Sequence, residues 1–320
     1  MKKTHFSIIV GFIFSIIAII VVTGVYPNFD EFNIKNQSWN GLSKFDRDTH
    51  PVQLSNSAVL VAYSQGSTLF IIGPDKEFTR SEVSVYSNYL KRGGEIILAD
   101  DFGTGNDILE AMGLDIRFDG GLLCDPIFME RNLHLPRVTA ENYGLNYLVL
   151  NYATFLTGLN SKTNEVLVWS SPISYSIDSN GVIVKNSSMP VIAEASIGKG
   201  KLVLISDSSV FINGMIDKGS NEDLLKIYSS DIVLVDTSHN TPSSVGLVKA
   251  SLADTYNLLG LYEVRYSVLI LFVIGLLRLR LSITPIQIDP VEELLQKHPE
   301  YDREQLKWLN EERKKARRPQ

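Results

Sequence analysis

The chain is 320 residues long, has a formal net charge of −6 and contains a single cysteine, Cys124. One cysteine excludes an internal disulfide and a cysteine-rich metal site. The acidic charge is concentrated between residues 27 and 265, which carry 18 basic and 28 acidic side chains. Because nucleic-acid-binding domains need a basic face, this balance excludes nucleic acid as an expected partner.

The N-terminal segment predicts a membrane anchor. Residues 6–25 form an uncharged run of 20 residues after Lys2 and Lys3, which is long enough to cross a bilayer as a helix. The alternative is a cleaved signal peptide, whose apolar core is usually about 7–15 residues long and ends in a small-residue site. Val22-Thr23-Gly24 matches such a site poorly. We therefore expect a transmembrane helix at 6–25, with residues 1–5 in the cytoplasm.

A strand–helix–strand pattern forms the centre of the chain. Apolar runs at 69–72 and 95–99 predict strands that are buried on both faces. The segment between them predicts a helix with a capping box formed by Thr79 and Glu82, ending at Gly93-Gly94. Two buried strands joined by a helix predict a parallel sheet. The expected fold class is therefore α/β, with a mostly parallel sheet flanked by helices. We expect it to occupy residues 58–261, after an irregular stalk at 26–57.

Polar loops follow two of the predicted buried strands. One loop comes after 95–99, and the other comes after 202–205, which is the second strand of a hairpin with a Gly-Lys-Gly turn at 198–200. Ligands of open α/β sheets bind beyond the carboxyl ends of strands. We therefore take these loops as the candidate ligand-binding region, with the residues Asp100, Asp101, Thr104, Asn106, Asp207 and Ser208.

The chemistry of these loops has two interpretations. Carboxylates suit hard cations and polar ligands, but Asp at strand–helix junctions also caps helices and braces turns. We favour the bracing role, and we expect no metal and no cofactor. The segment 103–106 lacks the Gly-Lys-Ser/Thr end of a phosphate loop. His239 follows another predicted strand without an evident partner, which indicates a structural histidine.

A second apolar run lies near the C-terminus. Its core, 267–277, has 11 apolar residues and is too short to span a bilayer alone. Extension to 262–281 brings in Glu263, Arg265, Arg278 and Arg280 near the ends, where long side chains can reach the interface. The alternative is a core helix of the domain. We expect a second transmembrane helix at 262–281 and a cytoplasmic helical tail at 282–320. The protein would then be a two-pass protein of the cell membrane with an extracytoplasmic domain.

Several segments together resemble the DUF4350 family: FIIGPD, FTRSEVSVYSNYLKRGGEIILADDFGTGN, LEAMGL and GGLLCDP. The resemblance runs from Ala58 to Asn213 and, more weakly, to Asn240. It implies a membrane-anchored domain with a flavodoxin-like fold related to the class I glutamine amidotransferases. Those enzymes use a cysteine on a strand-to-helix elbow, whereas Cys124 follows a predicted loop. We therefore do not expect Cys124 to be catalytic.

The expected function is binding rather than catalysis. We expect an external domain that binds a partner or ligand within a membrane complex. The resemblance implies a MoxR-type ATPase and a DUF58 protein as partners. The alternative is a cell-surface hydrolase or carbohydrate-binding protein that uses Asp100, Asp101 and Asp207, since carboxylate pairs about 5–9.5 Å apart hydrolyse glycosides. A third hypothesis is a cell-envelope sensor that signals through the spans.

Overall fold

The computed structural model describes residues 11–18, 20–21, 24, 27–282 and 290–316. The chain divides after Leu252 into two compact units. The expected cytoplasmic N-terminus at 1–5, and much of the expected span at 6–25, lie outside the described residues.

The first unit is built on a seven-stranded sheet. Five neighbouring strands run parallel. Two more strands follow at one edge, each antiparallel to the strand before it. The sheet is therefore mixed and mostly parallel, as the sequence predicts. In spatial order its strands are β1 (Val52–Leu54), β14 (Ile232–Asp236), β2 (Ser67–Ile72), β3 (Glu95–Ala99), β13 (Gly200–Ile205), β12 (Pro190–Ile197) and β9 (Asn164–Trp169).

Three small antiparallel sheets are formed by the segment between β3 and β12, together with its loops. The first sheet contains β5 (Leu122–Cys124), β10 (Tyr175–Ile177) and β11 (Ile183–Asn186). The second pairs β4 (Arg117–Phe118) with β8 (Leu156–Thr157), and the third pairs β6 (Arg137–Ala140) with β7 (Leu145–Val149).

Helices cover both faces of the main sheet. In residues 27–260 the α-helices are α1 (Ser43–Thr49), α2 (Arg80–Lys91), α3 (Gly105–Ala111), α4 (Asn221–Tyr228) and α5 (Ser244–Gly260), and α5 continues past residue 252, where the units divide. The predicted capping box of α2 is confirmed. The Thr79 hydroxyl accepts from the Glu82 N–H at 3.3 Å, and the Glu82 carboxylate accepts from the Thr79 N–H at 2.9 Å.

The central strands are apolar throughout because their alternate side chains enter two different cores, one on each face of the sheet. Phe70 and Ile97 lie in one core, which contains Leu224 of α4. Leu69 and Ile96 lie in the other, which contains Tyr89 of α2. All six side chains are almost fully buried. Both faces of the central strands are therefore covered. The carboxyl ends of the strands, which we call the carboxyl edge of the sheet, remain open.

The segment before the first predicted strand contributes to the main core. Residues 27–57 include α1 and β1, and β1 pairs in parallel with β14. Ile34 and Leu42 are buried in the same core as Phe70. Phe45 of α1 is fully buried and packs edge-on against Phe70, with ring centroids 5.1 Å apart.

A large-to-small substitution tests this packing. Phe45→Ala is expected to lower the free energy of unfolding by about 3–5 kcal/mol, because it removes a buried ring and leaves a cavity. Trp39→Ala, in the same segment but with 68 % of its side chain exposed, is expected to cost less than about 1 kcal/mol. Urea unfolding of both variants measures the difference. Equal, small losses would show that the segment is not part of the core.

The second unit is helical. Its helices beyond α5 are α6 (Tyr262–Ser282), α7 (Pro290–Lys297) and α8 (Arg303–Ala316). Among the residues that the structure describes, no helix combines the length and the apolar character needed to cross a membrane. In α6, charges near both ends leave 12 uncharged residues between Arg265 and Arg278. At about 1.5 Å per residue these cover about 18 Å of a hydrocarbon layer about 30 Å thick.

This finding overturns two expectations from the sequence. The fold class was predicted to include two transmembrane helices, at 6–25 and 262–281, and for the residues that the structure describes that part of the prediction is wrong. The placement in a cell membrane as a two-pass protein, with cytoplasmic ends and an extracytoplasmic domain, depends on the same two helices and is wrong for the same reason. The four charged residues that flank the core of α6 shorten its apolar stretch by more than snorkelling can offset.

Candidate functional site

The two predicted acidic loops meet at the carboxyl edge of the sheet. The register places Ala99 of β3 beside Ile205 of β13, so the loops that follow these parallel strands leave the sheet side by side. The Ser208 hydroxyl donates to the Asp101 carboxylate at 2.9 Å. The two loops therefore meet at Asp101 and Ser208.

Asp100 is bound by the backbone of its own loop. It is 2 % exposed, and its carboxylate accepts from the N–H groups of Asp101, Gly103 and Gly105 at 2.7–2.9 Å. A Cβ atom at Gly103 or Gly105 would lie 2.6 Å from a carboxylate oxygen of Asp100. Gly103 and Gly105 therefore leave the space that the Asp100 carboxylate occupies.

The environment of Asp100 also changes its protonation. Burial raises the pKa of the Asp100 carboxyl to about 6, although the hydrogen bonds from Gly105 and Gly103 act in the opposite direction. The charge of Asp101 adds to the increase in this pKa. Burial is thus the dominant influence on this group.

Asp207 has the same role on the neighbouring strand. Its side chain is fully buried, and its two oxygens accept from the N–H groups of Ser209 and Asn151, each at 2.8 Å. The bond to Ser209 caps a short 3₁₀ helix, Ser208–Phe211. Burial raises the pKa of Asp207 well above its ordinary value, and the charge of Asp101 raises it further.

The remaining two predicted site residues brace the loop after β3. The Thr104 hydroxyl donates to the carbonyls of Pro74 and Lys76, at 3.1 and 2.8 Å. The Asn106 side chain bonds both the N–H and the carbonyl of Phe118, each at 2.9 Å. These bonds link α3 and its preceding loop to their neighbours. They occupy the polar atoms that the sequence analysis assigned to a ligand.

Two exposed aromatic side chains flank these loops. Phe102 follows Asp101 and is 56 % exposed, and Tyr152 follows Asn151 and is 49 % exposed. The bonds from Ser208 to Asp101 and from Asn151 to Asp207 join the three loops into one continuous surface. We call this surface the strand-end strip. It consists of the exposed or partly exposed residues Asp101, Phe102, Asn151 and Tyr152, and the buried Ser208 links Asp101 to the loop after β13.

Tyr152 has an unusual backbone conformation. Its φ angle is +53°, which is uncommon for a residue with a side chain. Two contacts with one residue hold it there. The Tyr152 N–H donates to the His134 carbonyl at 2.9 Å, and the two rings stack with their centroids 5.0 Å apart. His134 therefore holds both the backbone and the ring of Tyr152.

A cluster around His239 was missed by the sequence analysis. Its Nδ1 lies 2.6 Å from an Asp236 oxygen, and its Nε2 lies 3.5 Å from a Glu82 oxygen. The ring stacks on Phe78, with centroids 3.8 Å apart, and is 3 % exposed. Although burial of Glu82 raises its pKa, hydrogen bonds from Thr79 and the charge of His239 make the net shift downward. Asp236 precedes His239 by three residues, and this spacing was the available sequence signal.

A cavity of about 250 Å³ lies beside this cluster, at the ends of β14 and β2. Its lining includes Glu31, Lys76, Asn240 and Thr241. This is the point where the chain order reverses, because β2 leads to β3 on one side and β14 lies on the other. Such reversal points are common ligand sites in open α/β sheets. Here Asn240 and Lys76 bond backbone carbonyls across the gap.

Metal and thiol chemistry have little structural support. No group of three or more His, Cys, Asp or Glu side chains is arranged to hold a metal ion within the described part of the chain. The Cys124 sulfur lies 3.4 Å from Nδ1 of His134, but the residue is fully buried. Burial raises the pKa of its thiol to about 11, so the reactive thiolate is scarce at neutral pH.

The fold and these loops define a mixed α/β domain with a polar and aromatic surface at its strand ends. The family described as "Domain of unknown function (DUF4350)" matches residues 34–226, which is more than half of the chain. The protein therefore belongs to the DUF4350 family. No curated protein matches the sequence.

Several solved structures are remotely similar. The mmIFT52 N-terminal domain is 18 % identical over 58 % of this chain and 86 % of that chain, with a TM-score of 0.45. The exo-beta-1,4-mannosidase Op5Man5 from Opitutaceae bacterium strain TAV5 is 9 % identical over 51 % of this chain and 24 % of that chain, with a TM-score of 0.30. A beta-galactosidase from Bacillus circulans sp. alkalophilus is 14 % identical over 51 % and 23 % of the two chains, also at 0.30.

Removal of the buried carboxylate tests its bracing role. Asp100→Ala leaves three backbone N–H groups without their acceptor, so we expect the free energy of unfolding to fall by about 2–4 kcal/mol. Asp101→Ala is the matched control, since its carboxylate is partly exposed and accepts from the Phe102 N–H and the Ser208 hydroxyl, and we expect a smaller loss of about 1 kcal/mol. Similar losses from both variants in urea unfolding would contradict the bracing role.

The pKa of Asp100 predicts a pH dependence of stability. Its folded-state value, about 6, exceeds its ordinary value of 3.8, so the folded protein binds the proton more tightly. Stability from this group is present below about pH 4 and is lost as pH rises to about 6, by at most about 3 kcal/mol. The stability gap between wild type and Asp100→Ala should therefore narrow from pH 4 to pH 7. A gap that widens would contradict the raised pKa.

Proposed function

We propose that the domain is a binding module without catalytic activity, and that its partner docks on the strand-end strip. The observation that carries the proposal is the pair of exposed aromatic rings at Phe102 and Tyr152, on loops that hydrogen bonds hold side by side. Aromatic side chains supply much of the binding energy in protein interfaces. Tyr152 is also held in a strained conformation, which is a frequent property of functional positions.

The surrounding chemistry favours binding over catalysis. A catalytic carboxylate must reach its substrate, but Asp100 and Asp207 are buried and bonded to backbone N–H groups. A hydrolase that works through Asp100, Asp101 and Asp207 would have to break these bonds. Only Asp101 of the three is partly exposed, and the Ser208 hydroxyl already bonds it.

The nature of the partner is proposed from the family resemblance. A MoxR-type ATPase and a DUF58 protein are the first partners to test. A relationship of the fold to the class I glutamine amidotransferases is part of the same proposal, and the parallel sheet with helices on both faces supports it. The glutaminase reaction is not part of the proposal, because the one cysteine is buried.

Paired truncations test the strip. Phe102→Ala and Tyr152→Ala, made together in the full chain, are expected to weaken partner binding by about tenfold to a hundredfold, because each ring provides an exposed apolar contact. The affinity is measured by surface plasmon resonance against the purified ATPase and the purified DUF58 protein from the same genome. Thermal unfolding of the variant checks that the fold is intact.

The control removes an exposed apolar side chain at another place. Val61 is 69 % exposed and lies before β2, away from the carboxyl edge, so Val61→Ala is expected to leave binding unchanged. If the double variant binds as tightly as wild type, the strip is not the docking surface. If the wild-type chain binds neither protein, the proposed partner classes are wrong.

A further inference from the structure

A second surface of the same unit has the form of a ligand site. A groove of about 740 Å³ runs between α2 and α3. Its volume lies within the range of about 300–1,000 Å³ that is typical of small-molecule sites. The groove is separate from the strand-end strip, since none of the strip residues lines it.

Polar groups without partners line the α2 side of the groove. Ser84, Ser87 and Asn88 lie on one face of the helix, at helical spacing. Two of the three are serines, whose small side chains leave the space between the helices open. In the hydrogen-bond network of the described residues, none of these three side chains has a partner. They are exposed or partly exposed, so a ligand can bond them in exchange for water.

The two sides of the groove carry opposite charges. Arg80 and Lys91 of α2 line one side, and Asp107 and Glu110 of α3 line the other. None of the four forms an ion pair in the described part of the chain, where the ion pairs involve other residues. An anion would meet the carboxylates, and a cation would meet Arg80 and Lys91. A neutral ligand with many hydrogen-bonding groups avoids both repulsions.

We propose that this groove binds a neutral, hydroxyl-rich ligand, namely an uncharged oligosaccharide. Sugar hydroxyls both donate and accept, so they can bond the cationic, the anionic and the amide side chains of the groove at once. Hydrogen bonds to charged groups are the stronger ones. Phe78 lines one end of the groove; His239 covers one face of its ring, and the partly exposed remainder is an apolar surface against which the C–H face of a sugar ring would pack. This inference does not depend on the strip or on its partner.

The test is isothermal titration calorimetry of the full chain with uncharged tetrasaccharides. The probes are cellotetraose, mannotetraose and xylotetraose, with tetragalacturonate as an anionic probe of the same length. We expect at least one uncharged probe to bind and the anionic probe to bind at least about tenfold more weakly. Asn88→Ala combined with Glu110→Ala is expected to weaken the uncharged probe by about tenfold or more, since it removes an amide and a carboxylate partner.

A matched double variant serves as the control. Ser196 and Lys199 are exposed polar residues on the β12–β13 hairpin and do not line the groove, so Ser196→Ala with Lys199→Ala is expected to bind like wild type. Exposed positions were chosen in both cases, and thermal unfolding verifies that each variant is folded. The proposal is overturned if no uncharged probe binds, if tetragalacturonate binds as tightly as they do, or if the groove variant binds like wild type.

Discussion

Backbone N–H groups at the ends of the central strands need acceptors, and two buried carboxylates supply them. A buried N–H without a partner costs about as much as a lost hydrogen bond. Asp100 and Asp207 each accept from at least two such groups where the chain leaves β3 and β13. Asp100 and Asp207 therefore fix the conformation of the loops at the carboxyl edge. The same hydrogen bonds position the exposed residues beside them.

The need for these acceptors explains why the acidic loops have the composition of a ligand site, although Asp100 and Asp207 bind the backbone of the chain and not a ligand. Gly103 and Gly105 are required because a side chain would collide with the Asp100 carboxylate. The same pattern in a sequence would fit a loop that wraps a bound anion. Here the anion is the Asp100 carboxylate of the chain itself, and burial raises its pKa. The surface that remains for a partner lies one residue further along each loop, at Phe102 and Tyr152.

Much of the sheet could be predicted because its strands are buried on both faces. Continuous apolar runs mark β2, β3 and β13, and the Thr79–Glu82 spacing marks the start of α2. The role of 27–57 could not be predicted in this way, since its core residues Ile34, Leu42 and Phe45 follow no short period. The partners of Asp100 are backbone atoms, and the partner of His239 on α2 lies far away in sequence, so neither site was evident.

Hydrogen exchange of the Gly105 and Ser209 amides, followed by NMR on the full chain, shows whether the strand-end carboxylates belong to the backbone network of the protein. Both amides donate to buried carboxylates, so we expect exchange at least about a hundredfold slower than in an open loop. Protection at Gly105 should be lost in Asp100→Ala. Exchange at the rate of an unprotected loop in the wild-type protein would show that the carboxylates are free, and the account would be wrong.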